Sequence, residues 1–282
     1  TTELNSVEPD YIQEATAYLT ERGITPMDAE RAGIFPVISA KEIHAGFKAM
    51  SALMIPYSDP TTGSPMTYSA NGAMGEFKRV RYLGKNTTKS FVAKNKEQRY
   101  AQPKGSPVLA YFVAGGFIDW PSIFLDSEIP IVITEGEFKA ICACRHGIPT
   151  IALGGVWNFT TKDGSLLPEL QRIVWHGRRV IICYDSDLAD NPNVQGAEQR
   201  LVMELRRRGA AVHLARLPSA SDGAKLGLDD AIRQFGHEHV KTLLLSAPKA
   251  PEAVIELAPQ RLNENLKELD EALAMSGLPI FQ

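Results

Sequence analysis

Hydrophobic and polar positions change their period several times along this chain, and each change predicts a different kind of element. Tyr11, Ile12, Ala15, Tyr18 and Leu19 recur at helical spacing after Glu8-Pro9-Asp10, and Glu21-Arg22-Gly23 supplies a stop. A second short helix is expected from Pro26. From about Phe47 to Tyr82 the apolar pieces shorten to Leu53–Tyr57 and Phe77–Leu83, separated by Ser58-Asp59-Pro60 and Thr61-Thr62-Gly63. These turn residues between short apolar runs predict antiparallel sheet. Residues 85–107 are polar, and Pro103, Gly105 and Pro107 predict an irregular, exposed connection.

Beyond residue 128 the pattern becomes regular. Ile131–Thr134, Thr150–Leu153, Val180–Tyr184 and Ala211–Leu214 are nearly continuous apolar runs, the signature of strands covered on both faces. Helical stretches over roughly 137–146, 166–175 and 194–208 separate them. Strand and helix alternating at this spacing predict an α/β fold, a right-handed βαβ succession with a doubly wound parallel sheet. Ligands of such sheets sit beyond the carboxyl ends of the strands, so the residues that follow each run matter most. After Pro248 the texture changes again: Pro251 and Pro259 interrupt it, and Leu262–Met275 reads as a helix. The expected organisation is a basic α+β subdomain at 1–107, an α/β domain at 108–247, and a linker with a helical tail at 248–282.

Composition narrows the class. With 282 residues, 44% of them hydrophobic, the chain is long enough to bury a real core, and disorder is excluded as its main state. No apolar run approaches the roughly 20 residues of a membrane-spanning helix, and Thr1-Thr2-Glu3 does not open a signal peptide. No membrane partner is expected. Cys142, Cys144 and Cys183 form neither a disulfide framework nor a CxxC pair, which suits a reducing cytoplasm. The net charge of −3 conceals an uneven distribution. Between Glu76 and Lys104 nine lysines and arginines stand against two glutamates, a local charge of +7 suited to a phosphate backbone. Tyr82, Phe91 and Tyr100 are interleaved with them and suit stacking on unpaired bases.

Acidic residues follow the predicted strands. Glu135-Gly136-Glu137 follows the first parallel run, Asp185-Ser186-Asp187 the third, and Gly227-Leu228-Asp229-Asp230 the loop after the fourth. A single carboxylate at such a place is most often a helix cap. Three clusters at one sheet edge, with no histidine or cysteine among them, suit a hard divalent cation such as Mg²⁺ or Mn²⁺. Other residues invite weaker readings. Cys142, Cys144 and His146 read as ordinary packing and surface residues, Cys183 as an apolar filler, and Trp157 as a packing residue. Gly154-Gly155 lacks the lysine of an ATP-binding loop.

The run ending in Glu135-Gly136, the Cys183-Tyr184-Asp185-Ser186-Asp187 segment and Gly227-Leu228-Asp229-Asp230 together resemble the toprim domain of bacterial-type primases, topoisomerases and certain nucleases. Upstream, Tyr18-Leu19-x-x-Arg22-Gly23-Ile24, Ile55–Pro60, Arg79–Leu83 and Arg99–Pro103 resemble, in order, the basic half of the DnaG-type primase catalytic core. The likeness spans about residues 10–245 and is nearest to the divergent replication proteins of phages and plasmids. It implies a toprim domain, Rossmann-like with a parallel central sheet, preceded by a smaller basic subdomain. It further implies synthesis of RNA primers on single-stranded DNA from nucleoside triphosphates. The resemblance implies that Glu135 binds metal or acts as acid and base at a 3′-hydroxyl, that Asp185 and Asp187 hold metal, and that Asp229, with Asp230 beside it, occupies the last acidic position. Arg79, Arg81, Arg99, Tyr100 and Lys104 are then expected to face template or nucleotide. Where bacterial primases commonly carry an acid four residues after the glutamate, this chain has Lys139, placed to pair with Glu135 or to contact a triphosphate. A toprim nuclease using the same acids, and a single-stranded DNA-binding module with a decayed site, are the rival readings. The start at Thr1 and the abrupt end after a linker suggest a longer natural protein continuing into a helicase domain.

Overall fold

Local rules account for the first elements. Helix α1 (Asp10–Glu21) ends where Gly23 turns the chain at φ 68°. Helix α2 (Pro26–Arg31) opens with a closed capping box: the Thr25 hydroxyl accepts from Asp28 N, and the Asp28 carboxylate accepts from Thr25 N. The structure, a computed structural model, describes residues 10–70, 72–84, 92–93, 96–186, 191–218 and 225–252. Two compact units divide at Lys249 and Ala250, and every described helix and strand belongs to the first.

Strands β1 (Phe35–Val37) and β2 (Ala52–Pro56) pair antiparallel; β3 (Thr67–Ala70) and β4 (Ala73–Glu76) form a separate hairpin. Strand β5 (Lys78–Tyr82) pairs with β2, Met54 opposite Val80. Strands β6 (Val92–Ala93) and β7 (Lys96–Glu97) make a short ribbon. Strand β8 (Tyr100–Ala101) completes an antiparallel sheet of order β1-β2-β5-β8. The expected antiparallel sheet is therefore present, and the segment read as an irregular connection contributes β8 to it. Alternation along β5 decides what each face does. Val80 and Tyr82 enter a core with Val37, Phe47 and Met54, so Arg79 and Arg81 project from the other side.

The second sheet holds the four apolar runs. Strand β9 (Tyr111–Phe112) and helix α3 (Trp120–Leu125) lead into β10 (Ile131–Glu135), α4 (Glu137–Cys144) and β11 (Thr150–Leu153). Then come α5 (Pro168–Gln171), β12 (Arg179–Ile182), α6 (Pro192–Arg206), β13 (Ala211–Leu214), α7 (Leu228–Phe235) and α8 (His237–Leu245). The sheet order is β13-β12-β10-β11-β9; the first three pairings are parallel, with Ile133 opposite both Ile151 and Ile182, and β9 closes the edge antiparallel. Ile131, Ile133, Ile151, Leu153, Val180 and Ile182 are all fully buried. Each such side chain contributes about 1.5–3 kcal/mol by leaving water, which makes this sheet the stable frame of the unit. The result is a mixed α/β fold with more than one sheet.

The elements depart from the sequence expectation at several places. The helix expected over 166–175 is only Pro168–Gln171, because Val174 N donates to Phe124 O at 2.9 Å and draws the chain onto the end of α3. Helix α6 starts at Pro192, with Asn191 capping it, so the start expected at 194 moves two residues back. The two residues of β9 carry too little pattern to be read as a strand. The helix expected over 262–275 lies outside the described residues.

Cys142, Cys144 and Cys183 are buried and unpaired, as expected of packing residues. Burial pushes each thiol up to about 12. Thiolate is the reactive form, so none of the three reacts readily while the protein is folded. In native buffer a thiol-specific chromogenic reagent is expected to label none within minutes, and all three at once in denaturant. Rapid native labelling of any one would contradict this packing.

Candidate functional site

Strand β10 delivers Glu135 to the carboxyl edge of the parallel sheet. Gly136 turns the chain at φ 96°, a conformation that glycine adopts without a Cβ penalty, and α4 begins at Glu137. Strand β12 delivers Asp185 to the same edge through Cys183-Tyr184. Two hydrogen bonds then fasten the incoming loop: Ser186 N donates to Leu226 O at 3.0 Å, and Leu226 N donates to Ser186 Oγ at 2.9 Å. This fastening brings Gly227, the N-cap of α7, beside Asp185, with Asp229 and Asp230 in the first helical turn. The acidic clusters that are distant in sequence therefore share one cleft. Asp187 lies outside the described residues, as do Lys85, Lys89, Phe91 and Lys94 of the basic segment.

The cleft has a volume of about 410 Å³. Among the described residues five carboxylates line it, Glu135, Glu137, Asp185, Asp229 and Asp230, together with five cations, Arg22, Arg79, Arg99, Lys139 and Lys225. Tyr100 lines the cleft as well. Arg81 is not among the lining residues; its guanidinium lies 4.7 Å from the ring centre of Tyr18 and 5.5 Å from that of Tyr100. Lys104 lies in an exposed turn away from the cleft. Trp157 also stays outside, donating to Asn193 Oδ1 at 3.0 Å with 45% of its surface exposed. His146 stacks on His237, ring centres 4.3 Å apart.

Most of the charges are already paired. Lys139 binds Asp185 Oδ1 rather than Glu135, and Lys225 lies 3.0 Å from Asp185 Oδ2. Arg22 donates to Asp229 Oδ2 at 2.9 Å, and Arg79 to Glu137 Oε1. The Tyr57 hydroxyl also donates to Glu137, at 2.8 Å; burial, and then Glu137 itself, raise its pKa well above the ordinary tyrosine range, so it remains a donor. Asp230 Oδ2 accepts from Gly227 N at 3.1 Å, the ordinary work of a capping carboxylate.

The sequence pattern did not single out three of these participants. Arg22 entered it as part of a helix stop and of the Tyr18–Ile24 motif without a role of its own, Glu137 as a neighbour of Glu135, and Lys225 not at all. Tyr18 at helical spacing before Arg22 was the available signal, since the Arg22 guanidinium lies 4.4 Å over the Tyr18 ring. Gly154 gains a packing reason: a Cβ there would lie 2.5 Å from Arg79 Nη1 and crowd the guanidinium that reaches Glu137.

The same region carries the likeness to known proteins. Residues 119–239, from just before α3 into α8, match a family described as a domain of unknown function, DUF3854. An uncharacterized protein of Picosynechococcus sp. is 31% identical over 134 residues, which are 43% of this chain and 13% of that relative's length. Across 91% of the chain the fold is similar to the crystal structure of the Aquifex aeolicus primase, zinc-binding and RNA polymerase domains, with a TM-score of 0.57 and 19% identity. The chain spans 61% of that primase chain. The shared property is the fold. No described helix is long and apolar enough to cross a membrane.

Proposed function

We propose that this chain carries the catalytic core of a DNA primase, a toprim domain served by a basic N-terminal subdomain, within a replication protein of a phage or plasmid. The carrying observation is the convergence of Glu135, Asp185 and Asp229 at the carboxyl edge of the parallel sheet, in one cleft with Arg79 and Tyr100 of the N-terminal sheet and the adjacent Arg99. The primase-like fold supports the reading. The domain limits proposed are 1–107, 108–247 and 248–282.

The donor chemistry fits Mg²⁺ or Mn²⁺. Every acid at the edge offers oxygen, and Asp229 Oδ1 is buried without a hydrogen-bond partner. Asp185 Oδ1 and Asp229 Oδ1 lie 3.4 and 2.7 Å from the point that a Cβ on Gly227 would occupy, a cradle that any larger residue would fill. Among the described residues no group of three ligands is drawn together as they lie; Asp187 completes the proposed set. A bound divalent cation there supplies charge neutralisation at phosphate oxygens and a lowered pKa for an attacking hydroxyl.

The chain's own groups do the rest. Glu135 accepts the proton of the attacking 3′-hydroxyl. Arg99, Lys139 and Lys225 hold the phosphates, whose leaving group is pyrophosphate. Arg79, fixed by Glu137 and lying 5.3 Å from the ring centre of Tyr100, keeps that wall in place for the template. Single-stranded DNA and nucleoside triphosphates are the proposed partners, with a helicase domain in the full-length protein and a cytoplasmic location.

De novo primer synthesis tests the proposal: the chain, single-stranded DNA, labelled ribonucleotides and Mg²⁺ or Mn²⁺ are expected to give short products that need template. Template cleavage without primer would point to the nuclease. DNA binding with neither product would point to the binding module.

A further inference from the structure

The distribution of charge in the cleft raises a difficulty that the proposed function must meet. Carboxylates of the cleft already carry cations of the chain: Glu137 has Arg79, Asp229 has Arg22, Asp230 lies 3.8 Å from Arg233, and Asp185 has both Lys139 and Lys225. A hard divalent cation needs those oxygens, so one resident cation must leave before it can bind.

Geometry singles out Lys139. Arg79 and Glu137 are buried at both ends, at 10% and 2% side-chain exposure, and separating such a pair strands a charge in a place with little water. Arg22 is anchored twice, on buried Asp229 and over the Tyr18 ring. Lys139 instead presents a compact ammonium on a flexible four-carbon stem. It also stands in the first turn of α4, where the helix dipole disfavours a cation and favours an anion. Its stem lies at the cradle: Lys139 Cε is 2.8 Å from the Cβ position on Gly227, the same point that Asp229 Oδ1 and Asp185 Oδ1 approach to 2.7 and 3.4 Å. The buried, unpartnered Asp229 Oδ1 faces the same space.

We propose that Lys139 is the resident counter-ion of the metal position. Its ammonium neutralises Asp185 until a divalent cation binds, and the entering cation releases it toward the phosphate oxygens of an anionic nucleotide. Cation and phosphate then bind with positive coupling, since each stabilises the arrangement that the other needs. This inference rests on the proposed metal site and extends it from a list of ligands to an exchange of charges.

Binding of Mn²⁺ to the whole chain, followed by the electron paramagnetic resonance of free Mn²⁺, tests it without reference to catalysis. Lys139→Gln is expected to bind Mn²⁺ about tenfold more tightly than the wild type, equal to about 1.4 kcal/mol. Inorganic phosphate is expected to tighten Mn²⁺ binding to the wild type and not to Lys139→Gln. Equal or weaker Mn²⁺ binding by the variant, or no measurable binding by either protein, overturns the proposal. Lys225→Gln, at a half-exposed position, provides a second measurement should Lys139→Gln fail to fold. It is expected to bind Mn²⁺ more tightly than the wild type by a smaller factor, and equal or weaker binding overturns the exchange. Tightened binding in a chain that makes no primer would overturn the primase reading alone; unchanged binding in a chain that makes primer would overturn the exchange alone.

Discussion

Arg79→Ala lowers the stability of the folded chain by about 3–5 kcal/mol in denaturant titration at neutral pH, the usual cost of removing one partner of a buried ion pair. Glu137 is 1% exposed, and Oε1 accepts from both the Arg79 guanidinium and the Tyr57 hydroxyl. Without Arg79 the carboxylate keeps only a neutral donor in a region that water barely reaches. The loss is shared between two parts of the fold, because Arg79 sits on β5 of the N-terminal sheet while Glu137 opens α4 beside the parallel sheet. Replacing both residues, as in Arg79→Met with Glu137→Gln, is expected to be milder than Arg79→Ala alone, since no charge is then left stranded. A loss below about 1 kcal/mol for Arg79→Ala would mean that the pair does not hold the two sheets together.

Asp185→Asn is expected to leave the fold intact and to reduce primer synthesis by about 10²- to 10³-fold, the range seen when a charge-stabilising group is removed from a reacting centre. Asp185 follows β12 at the sheet edge, and its two oxygens hold Lys139 and Lys225. Asparagine keeps the shape but withdraws the negative charge, leaving two ammoniums beside each other and one fewer anionic oxygen for a divalent cation. Asp230→Ala is the control: Asp230 Oδ2 accepts from Gly227 N at the start of α7, so its removal should register mainly as about 1 kcal/mol of stability. Primer yield from Asp185→Asn within tenfold of the wild type would remove Asp185 from the proposed chemistry.

How far the chain could be read in advance depended on the range of the signal. The four parallel strands were visible because a strand covered on both faces must be apolar along its whole length, as Ile131–Thr134 and Val180–Tyr184 are. The convergence of Glu135, Asp185 and Asp229 followed from the same topology, since successive parallel strands end at one edge. The short form of α5 could not be read, because Val174 leaves the helix for a hydrogen bond to Phe124, a partner 50 residues away. Strand β9 was invisible for a related reason: two residues have no period.

The partner of Lys139 was the most consequential gap. Helical spacing offered Glu135 four residues before it, whereas the ammonium turns to Asp185, 46 residues along the chain. Arg22 was hidden in the same way, its carboxylate partner 207 residues distant.

The sequence by itself determined the α/β class, the strands of the central sheet, the edge at which acids gather and the identity of the basic segment. Each depends on a periodic or local rule that the residues themselves state. Only the tertiary structure decided which cation meets which carboxylate, why Gly154 and Gly227 have no side chain, and which basic residues reach the cleft. Those choices arise where loops from distant strands come together in little water, so that Coulomb attraction between close charges, rather than sequence proximity, selects the pairs.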